Sequence, residues 1–365
     1  MTLTNNLVVL TGATGFVGSS TLVFLLQAGY HVRAIVRAEG QIQSVLARAS
    51  IQELKPGPRL SFAVIPSITA AGALDDAMAG ATHVVHTASP RAAGGGKSVV
   101  PPEEQVRHFY EPAVAGTLNI LDAAAKAGTV RRVVITSSIF ALAPLAQLQG
   151  EEEPPTEPVT ARDRAPETPP TRAPWPSDLA AYAQSQVSAL LETEAWLAHG
   201  CRPRPPAFDV VHLHPGVALG PAAGATRAPE VMRGGANSLL FGLLLGGAGS
   251  GSSSIPPTIG AAVDVRDIAR AHVAALHPQV PGGRGYILAR PVVWQDLVGV
   301  AQRLFPDRFA SGFFVAGGRV RTVQVPFDTG DAEAALGFKL SPLDDAVRDA
   351  LGQYFALRAA GEAAP

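Results

Sequence analysis

Short apolar runs alternate with stretches of helical spacing through the first half of the chain. Apolar runs are typical of strands buried on both faces of a parallel sheet, and they occupy residues 7–10, 31–36, 60–65, 83–86, 132–136 and 208–213. Residues 16–28 and 112–127 show helical spacing, and a glycine follows each stretch, as at many helix ends. This β-α-β alternation predicts a doubly wound parallel sheet with right-handed crossovers.

Two segments interrupt this rhythm. Residues 154–176 contain eight prolines, which exclude the interior of a helix or strand and predict a long surface loop. Residues 246–254 are almost entirely glycine and serine, which is typical of a flexible connector. After the connector we expect a helix at 265–276, a short strand near Tyr286, a helix at 294–304 and a final helix at 341–358 with Ser341 as its N-cap.

Composition and charge narrow the range of functions. The chain has 365 residues, of which 47% are hydrophobic and 16% charged, so it can bury a substantial core. Its net charge of −1 gives no electrostatic reason to expect nucleic acid or an anionic membrane surface as a partner. The longest apolar stretch, residues 239–245, is too short to span a bilayer. The first residues lack the basic region of a signal peptide, and one cysteine, Cys201, forms no intrachain disulfide. We therefore expect a cytoplasmic protein without a membrane segment.

A glycine-rich segment lies between the first predicted strand and the first predicted helix. It reads Thr11-Gly12-Ala-Thr-Gly15-Phe16-Val17-Gly18. Gly12 permits a tight turn, Gly15 lets backbone N–H groups approach a diphosphate, and Gly18 lets the helix pack close to the sheet. The strand–turn–helix context favours dinucleotide binding over the alternative, a glycine-rich turn without a ligand.

Arg37 ends the second predicted strand, where the adenosine ribose would lie. An acidic residue there would bind the 2′-hydroxyl of NAD, whereas a guanidinium suits the 2′-phosphate of NADP. The alternative is that Arg37 is an ordinary surface arginine. The position favours NADP(H) as the cofactor.

Further motifs accompany the glycine-rich segment along nearly the whole chain. They are Val32-Arg-Ala-Ile-Val-Arg37, His86-Thr-Ala-Ser-Pro90, Gly116-Thr-Leu-Asn-Ile120, Val133-Val-Ile-Thr-Ser-Ser138, His214-Pro-Gly-Val-Ala-Leu-Gly-Pro221, Ile255-Pro-Pro-Thr258, Val263-Asp-Val-Arg-Asp267 and Ala335-Leu-Gly-Phe338. With these motifs the chain resembles the extended short-chain dehydrogenase/reductase superfamily. Within it, the chain is most similar to the dihydroflavonol reductase and cinnamoyl-CoA reductase group, especially the fungal NADPH-dependent aldehyde, methylglyoxal and ketone reductases.

The resemblance implies an α/β fold with two parts. A Rossmann-type doubly wound parallel sheet, mainly residues 1–215 and including a variable loop at 151–178, is expected to bind the cofactor. A smaller C-terminal lobe, mainly residues 216–365, is expected to cover the substrate, with some of its segments returning to the sheet.

The resemblance also implies the site residues. Ser138 matches the serine that orients the substrate carbonyl, and Tyr182 matches the tyrosine that donates a proton to it. Contacts with the cofactor are expected from Thr11, Gly12, Gly15, Phe16, Val17, Gly18, Arg37, Ser67, Ile68, Thr87, Ala88, Ser89, Tyr182, Gln186, Pro215, Val217 and Ala218.

One position departs from the family pattern. The family has a lysine four residues after the tyrosine, one helical turn on, whereas this chain has Gln186, and no lysine occurs between Lys126 and Lys339. Glutamine can hydrogen-bond a ribose hydroxyl but carries no charge. We therefore expect Tyr182 to titrate near its unperturbed pKa of about 10. The basic residue expected seven positions after Arg37 is also missing, because that position is Ser44.

Two enzymatic functions follow. The first is NADPH-dependent reduction of an aldehyde or ketone in a small or secondary-metabolite substrate. The alternative is a redox-silent isomerase, cyclase or lyase on the same fold, motivated by Gln186. A dinucleotide sensor that binds a protein partner is a third possibility without a supporting feature. No cluster of three or four ligands indicates a metal, and the oligomeric state is left open.

Overall fold

The computed structural model describes residues 6–90, 100–199, 206–246 and 254–362. Most of the predicted connector at 246–254 lies outside the described residues, as does Cys201. None of the helices in the described part is both long and apolar enough to cross a bilayer.

Twelve strands are described. In chain order they are β1 (Leu7–Thr11), β2 (His31–Val36), β3 (Leu60–Val64), β4 (His83–His86), β5 (Arg132–Thr136), β6 (Asp209–Pro215), β7 (Val217–Leu219), β8 (Ser254–Ile259), β9 (Ala261–Asp264), β10 (Arg284–Leu288), β11 (Arg290–Pro291) and β12 (Arg319–Val323).

Fourteen α-helices are described with them. They are α1 (Phe16–Gln27), α2 (Glu39–Leu46), α3 (Ala49–Leu54), α4 (Asp75–Met78), α5 (Glu111–Ala127), α6 (Leu145–Gln149), α7 (Asp178–His199), α8 (Ala228–Met232), α9 (Asn237–Leu245), α10 (Val265–Ala275), α11 (Asp296–Leu304), α12 (Pro306–Ala310), α13 (Gly330–Leu336) and α14 (Leu343–Glu362).

The main sheet confirms the predicted doubly wound architecture. Seven parallel strands lie in the order β3-β2-β1-β4-β5-β6-β10. The strand order reverses between β1 and β4, and ligands of such sheets bind at this switch point, beyond the carboxyl ends of the strands. Thr11 lies opposite His86 across it. Every predicted strand of the first half belongs to this sheet.

Alternate residues of the strands pack against helices on opposite faces of the main sheet. Val8 and Leu10 of β1 pack with Leu22 of α1 and Ile268 of α10 in one buried cluster. On the other face, Val9 packs with apolar residues of α5 and half-buried residues of α7. The sheet is thus covered on both sides, which is why apolar residues predominate in its strands.

Residues after β6 build two small sheets and a second buried cluster. The small sheets have the strand orders β11-β9-β7 and β12-β8. Phe241, Trp294 and Tyr354 from α9, the α11 entry and α14 belong to the second cluster. β10 and α10 from this half of the chain instead join the main sheet and its α1 layer.

The predicted N-cap role of Ser341 is wrong. The final helix begins at Leu343, two residues later. Ser341 instead donates its backbone N–H and its hydroxyl to the carboxylate of Asp267 on α10, at 2.5 and 3.1 Å. A tertiary hydrogen bond therefore uses the hydroxyl that the sequence pattern assigns to the helix end.

The proline-rich segment is irregular, as predicted, apart from one 3₁₀ turn at Pro170–Arg172. Its middle part, residues 164–168, is held against α7. Gln184 accepts from the backbone N–H of Thr168 at 2.7 Å, and Ser188 donates to Glu167 at 2.6 Å. Arg164 forms an ion pair with Glu194.

Candidate active site

Gly12 and Gly18 of the glycine-rich segment have no room for a side chain. Gly12 adopts φ +76°, and a Cβ there would lie 2.5 Å from the Thr87 hydroxyl oxygen. A Cβ on Gly18 would lie 2.0 Å from the Gly12 carbonyl oxygen. The Gly15 N–H donates to the same carbonyl at 2.8 Å, and α1 then begins at Phe16 without a side-chain cap. Its first amides are thus available to an anion.

Hydrogen bonds join the turn to the end of β4. The Thr11 hydroxyl lies 2.6 Å from His86 Nδ1 and accepts from the Ala88 N–H at 3.3 Å. Thr87 donates its hydroxyl to the Thr11 carbonyl at 2.7 Å. The predicted cofactor residues of these two segments therefore lie together.

A cleft of about 260 Å³ opens on the turn. Thr14, Gly15, Phe16 and Ser19 line one side. The other side comes from the second half of the chain and consists of Gly224, Ala225, Glu230, Arg233 and Gly234. The tight glycine contacts, the uncapped helix and this open space all fit the diphosphate of a dinucleotide.

Three charged residues near this cleft were not predicted from the sequence. Glu230 and Arg233 line it, and Arg48 lies beneath the turn, where its Nη1 donates to the Ala13 carbonyl at 3.0 Å. Burial lowers the pKa of Arg48, opposed by the charge of Glu230. Arg48 stands four residues after Ser44, so a search for the family's basic residue one helical turn further on would have found it.

The residues predicted to contact the adenosine end of the cofactor lie just after β2 and β3. Arg37 follows β2 and is exposed, and its N–H donates to Gln41 at 2.7 Å. Ser67 is exposed in the turn after β3, with its hydroxyl 2.6 Å from that of Thr69. Ile68 is half-buried against Gly116 of α5.

Ser138 and Tyr182 meet beyond the end of β5. Ser138 is buried, its hydroxyl accepts from the Phe140 N–H at 3.3 Å, and it is near enough to the Tyr182 phenol to affect its pKa. The Tyr182 ring lies edge-on to Phe140, with ring centroids 6.1 Å apart. Burial raises the pKa of Tyr182 above 10, and the neighbouring Ser138 hydroxyl opposes this increase only in part. The expected value near 10 is therefore too low, because the sequence does not reveal the desolvation of the phenol.

Gln186 is buried one helical turn beyond Tyr182. Its Nε2 donates to the Ser89 hydroxyl at 3.0 Å. The structure thus brings a predicted residue of α7 to the segment that follows β4. Where the family has a charged amine, this chain has a neutral amide bonded to a neutral hydroxyl.

Pro215, Val217 and Ala218 lie where β6 passes into β7. The Ala218 carbonyl accepts from the Ala236 N–H at 2.6 Å. The ring of Phe16 fills the space beside the two glycines before Ala236, where a Cβ on Gly234 would lie 2.6 Å from it. The start of α1 therefore contacts the second half of the chain directly.

In the described part of the chain, no group of three or more His, Cys, Asp or Glu side chains is arranged to hold a metal ion. The histidines of β6, His212 and His214, stack with ring centroids 6.0 Å apart. Burial lowers the pKa of His212 to about 4 and that of His214 well below 6.5.

Comparison with known proteins gives consistent results. The model of the NAD dependent epimerase/dehydratase family matches residues 8–168. Ketoreductase CTB6 of Cercospora nicotianae is 33% identical over 362 residues, which are 97% of this chain and 96% of that protein. Aldehyde reductase 2 of Sporidiobolus salmonicolor is 29% identical over 309 residues, 83% of this chain and 82% of that one.

Among solved structures, yeast methylglyoxal/isovaleraldehyde reductase Gre2 complexed with NADPH matches with a TM-score of 0.78. The match covers 97% of this chain and 99% of that one at 22% identity. At this identity the likeness concerns the fold, and it confirms the predicted Rossmann-type architecture.

Proposed function

Because the chain belongs to the NAD-dependent epimerase/dehydratase family of extended short-chain dehydrogenases/reductases, we propose that it reduces an aldehyde or ketone with NADPH. The protein is an NAD(P)-dependent oxidoreductase of this family. The observation that carries the finer proposal is the placement of Ser138 and Tyr182 beside each other beyond the carboxyl end of β5, where the Ser138 hydroxyl acts on the phenol.

The proposed chemistry assigns one task to each hydroxyl. When bound, NADPH supplies a hydride to the carbonyl carbon. The Ser138 hydroxyl donates a hydrogen bond that orients the carbonyl oxygen. Tyr182 transfers its phenolic proton to that oxygen, so the carbonyl becomes an alcohol. With a raised pKa the Tyr182 phenol is fully protonated at neutral pH, but it is a weaker acid than a phenol whose pKa lies near the working pH, so proton transfer is slower.

Gln186 and the turn residues hold the cofactor in this proposal. The amides at the start of α1 bind the diphosphate, Arg37 binds the 2′-phosphate, and the Gln186 amide bonds a ribose hydroxyl. The substrate lies between the sheet and the lobe of residues 216–365. Trp175 of the proline-rich segment belongs to one apolar cluster with Tyr182, which supports a role for this segment in lining the site.

The test is NADPH oxidation with a panel of aldehydes and ketones. We expect turnover by the natural protein and a loss of about 10²- to 10⁴-fold in kcat for Tyr182→Phe. Tyr286→Phe is the matched control, because Tyr286 is buried on β10 and donates only to the Pro281 carbonyl at 2.9 Å. Equal turnover by Tyr182→Phe and the natural protein would refute the assignment.

Cofactor choice has its own test. We expect Arg37→Ala to weaken NADPH binding about 10- to 100-fold, since a charge-assisted bond to the phosphate is lost. NADH affinity is the internal control and should not change. Unchanged NADPH affinity in Arg37→Ala would show that Arg37 is an ordinary surface arginine that does not bind the 2′-phosphate.

The second candidate is a redox-silent isomerase, cyclase or lyase that retains the dinucleotide. The neutral Gln186–Ser89 contact favours it, because it lacks the charge that would assist ionisation of Tyr182. Tight NADPH binding without turnover of any carbonyl in the panel would support this candidate over the first.

A further inference from the structure

A small cavity lies next to Gln186, between the ends of β4, β5 and β6 and the helices α5 and α7. Its volume is about 20 Å³, whereas one water needs about 10–15 Å³. The polar side chains that line it are His86, Ser89, Thr117, Thr136, Ser137, Gln186 and His212.

Most of these polar groups already have hydrogen-bond partners. His86 lies 2.6 Å from the Thr11 hydroxyl through Nδ1 and 3.3 Å from the Thr117 hydroxyl through Nε2. The Thr136 hydroxyl lies 2.7 Å from His272 Nε2. As described above, Ser89 accepts from Gln186.

Two atoms in the cavity lack a partner within the described part of the chain. They are Nε2 of His212 and Oγ of Ser137. His212 is only 6% exposed and Ser137 only 8% exposed, so bulk water does not hydrogen-bond these two atoms. Buried polar atoms are nearly always hydrogen-bonded, and ordered water is the usual partner where protein groups are missing.

We propose that one water molecule occupies this cavity and bonds His212 Nε2, Ser137 Oγ and the Gln186 amide. His212 and Ser137 are then positioning residues that act through this water on Gln186. The proposal rests on the proposed function only for the role of Gln186 in holding the cofactor. The water site itself follows from the cavity and its two unpartnered atoms.

The surroundings suit such a bridge. His212 lies opposite Ile135 in the sheet, and Ile135 lies opposite His86. Because residues opposite each other point to the same face of a sheet, both imidazoles lie on one face. Burial and the charge of Arg164 lower the pKa of His212 to about 4. The ring is therefore neutral at pH 7, and a neutral imidazole nitrogen can accept from or donate to water.

The test combines a structure with a binding measurement. A crystal structure that resolves ordered water should show density bonded to His212, Ser137 and Gln186. His212→Phe and Ser137→Ala should each weaken NADPH binding about three- to ten-fold, as loss of one hydrogen-bonded bridge implies. His212→Gln should restore most of this affinity, because an amide can still bond the water.

His83→Phe is the matched control, since His83 is a buried histidine at the opposite end of β4. It should lower stability without changing the NADPH Kd. A cavity without water density, or equal Kd changes in His212→Phe and His83→Phe, overturns the proposal. If His212→Phe does not fold, the NADPH Kd of Ser137→Ala tests the proposal instead, and an unchanged Kd would overturn it. Absence of carbonyl turnover defeats the proposed function alone, because water density and Kd do not depend on turnover.

Discussion

At the scale of single residues, Tyr182 differs from a tyrosine beside a lysine because its surroundings are neutral. Burial raises its pKa, and the neighbouring Gln186 amide adds no positive charge. The protonated form, which donates to a carbonyl, is favoured. The ionised form, which would accept a proton from an alcohol, is disfavoured up to high pH.

The preference of Tyr182 for its protonated form predicts the effect of Gln186→Lys. An ammonium one helical turn from Tyr182 should lower the pKa of the phenol. The pH at which alcohol oxidation reaches half its maximum should then fall by at least one unit, and carbonyl reduction near neutral pH should become faster, because a phenol with a lower pKa is the better proton donor. Rate–pH profiles in both directions provide the measurement, with Gln184→Lys on the same helix as control. Identical profiles for the natural protein and Gln186→Lys would contradict the assignment of Tyr182.

The site residues could be predicted from the sequence, but their protonation, contacts and burial could not. Ser138 and Tyr182 were recognisable from motifs, and their position beside each other is consistent with that prediction. The raised pKa of Tyr182, the Gln186–Ser89 contact and the buried position of Arg48 were not predictable. Each depends on which side chains the fold removes from water, and residue spacing does not contain that information.

At the scale of elements, the strands of the main sheet were predicted well because they are buried on both faces and consist largely of β-branched residues. Strands at 31–36, 83–86 and 132–136 have the predicted bounds. Short elements were missed, including α3, β7 and β11. Their lengths of six, three and two residues are too small to show a periodicity.

The turn before α1 provides a prediction at this scale. Gly18→Ala would bring a Cβ to 2.0 Å from the Gly12 carbonyl, so the turn must move. We expect NADPH affinity to fall at least ten-fold and stability to fall. Titration of NADPH and thermal unfolding measure the two effects.

Gly352→Ala is the matched control, because Gly352 also lies within a helix and a Cβ there meets no atom within 4 Å. It should stabilise the protein by roughly 0.5–1 kcal/mol, the usual gain for alanine over glycine in a helix. Equal NADPH affinities for the two variants would show that the tight contact at Gly18 is not needed for binding.

At the scale of the whole molecule, buried histidines link the stability of the fold to pH. Burial is the main cause that lowers the pKa to about 4 in His83, His86, His212 and His272. In the unfolded chain a histidine has a pKa of about 6.5. Between these values the unfolded state binds more protons than the folded state, so acid favours unfolding.

We therefore expect the free energy of unfolding to fall as the pH decreases from about 6.5 to 4. Each histidine contributes a slope of up to about 1.4 kcal/mol per pH unit within this range. Urea denaturation at several pH values measures the slope, and His83→Gln should reduce it by one histidine's share. A constant free energy of unfolding between pH 7 and 5 would mean that these rings are not buried as described.

The return of β10 and α10 to the main sheet also determines how the chain can be divided. A fragment of residues 1–215 would leave β6 as an unpaired edge, since β10 is its hydrogen-bonded neighbour. It would also uncover the apolar side chains of α1 that Ile268 and Ala271 cover in the intact protein. An exposed strand beside an exposed apolar face promotes self-association. We expect this fragment to aggregate when expressed alone, and light scattering would reveal it. If the fragment aggregates, the first 215 residues depend for their solubility on residues from the second half of the chain.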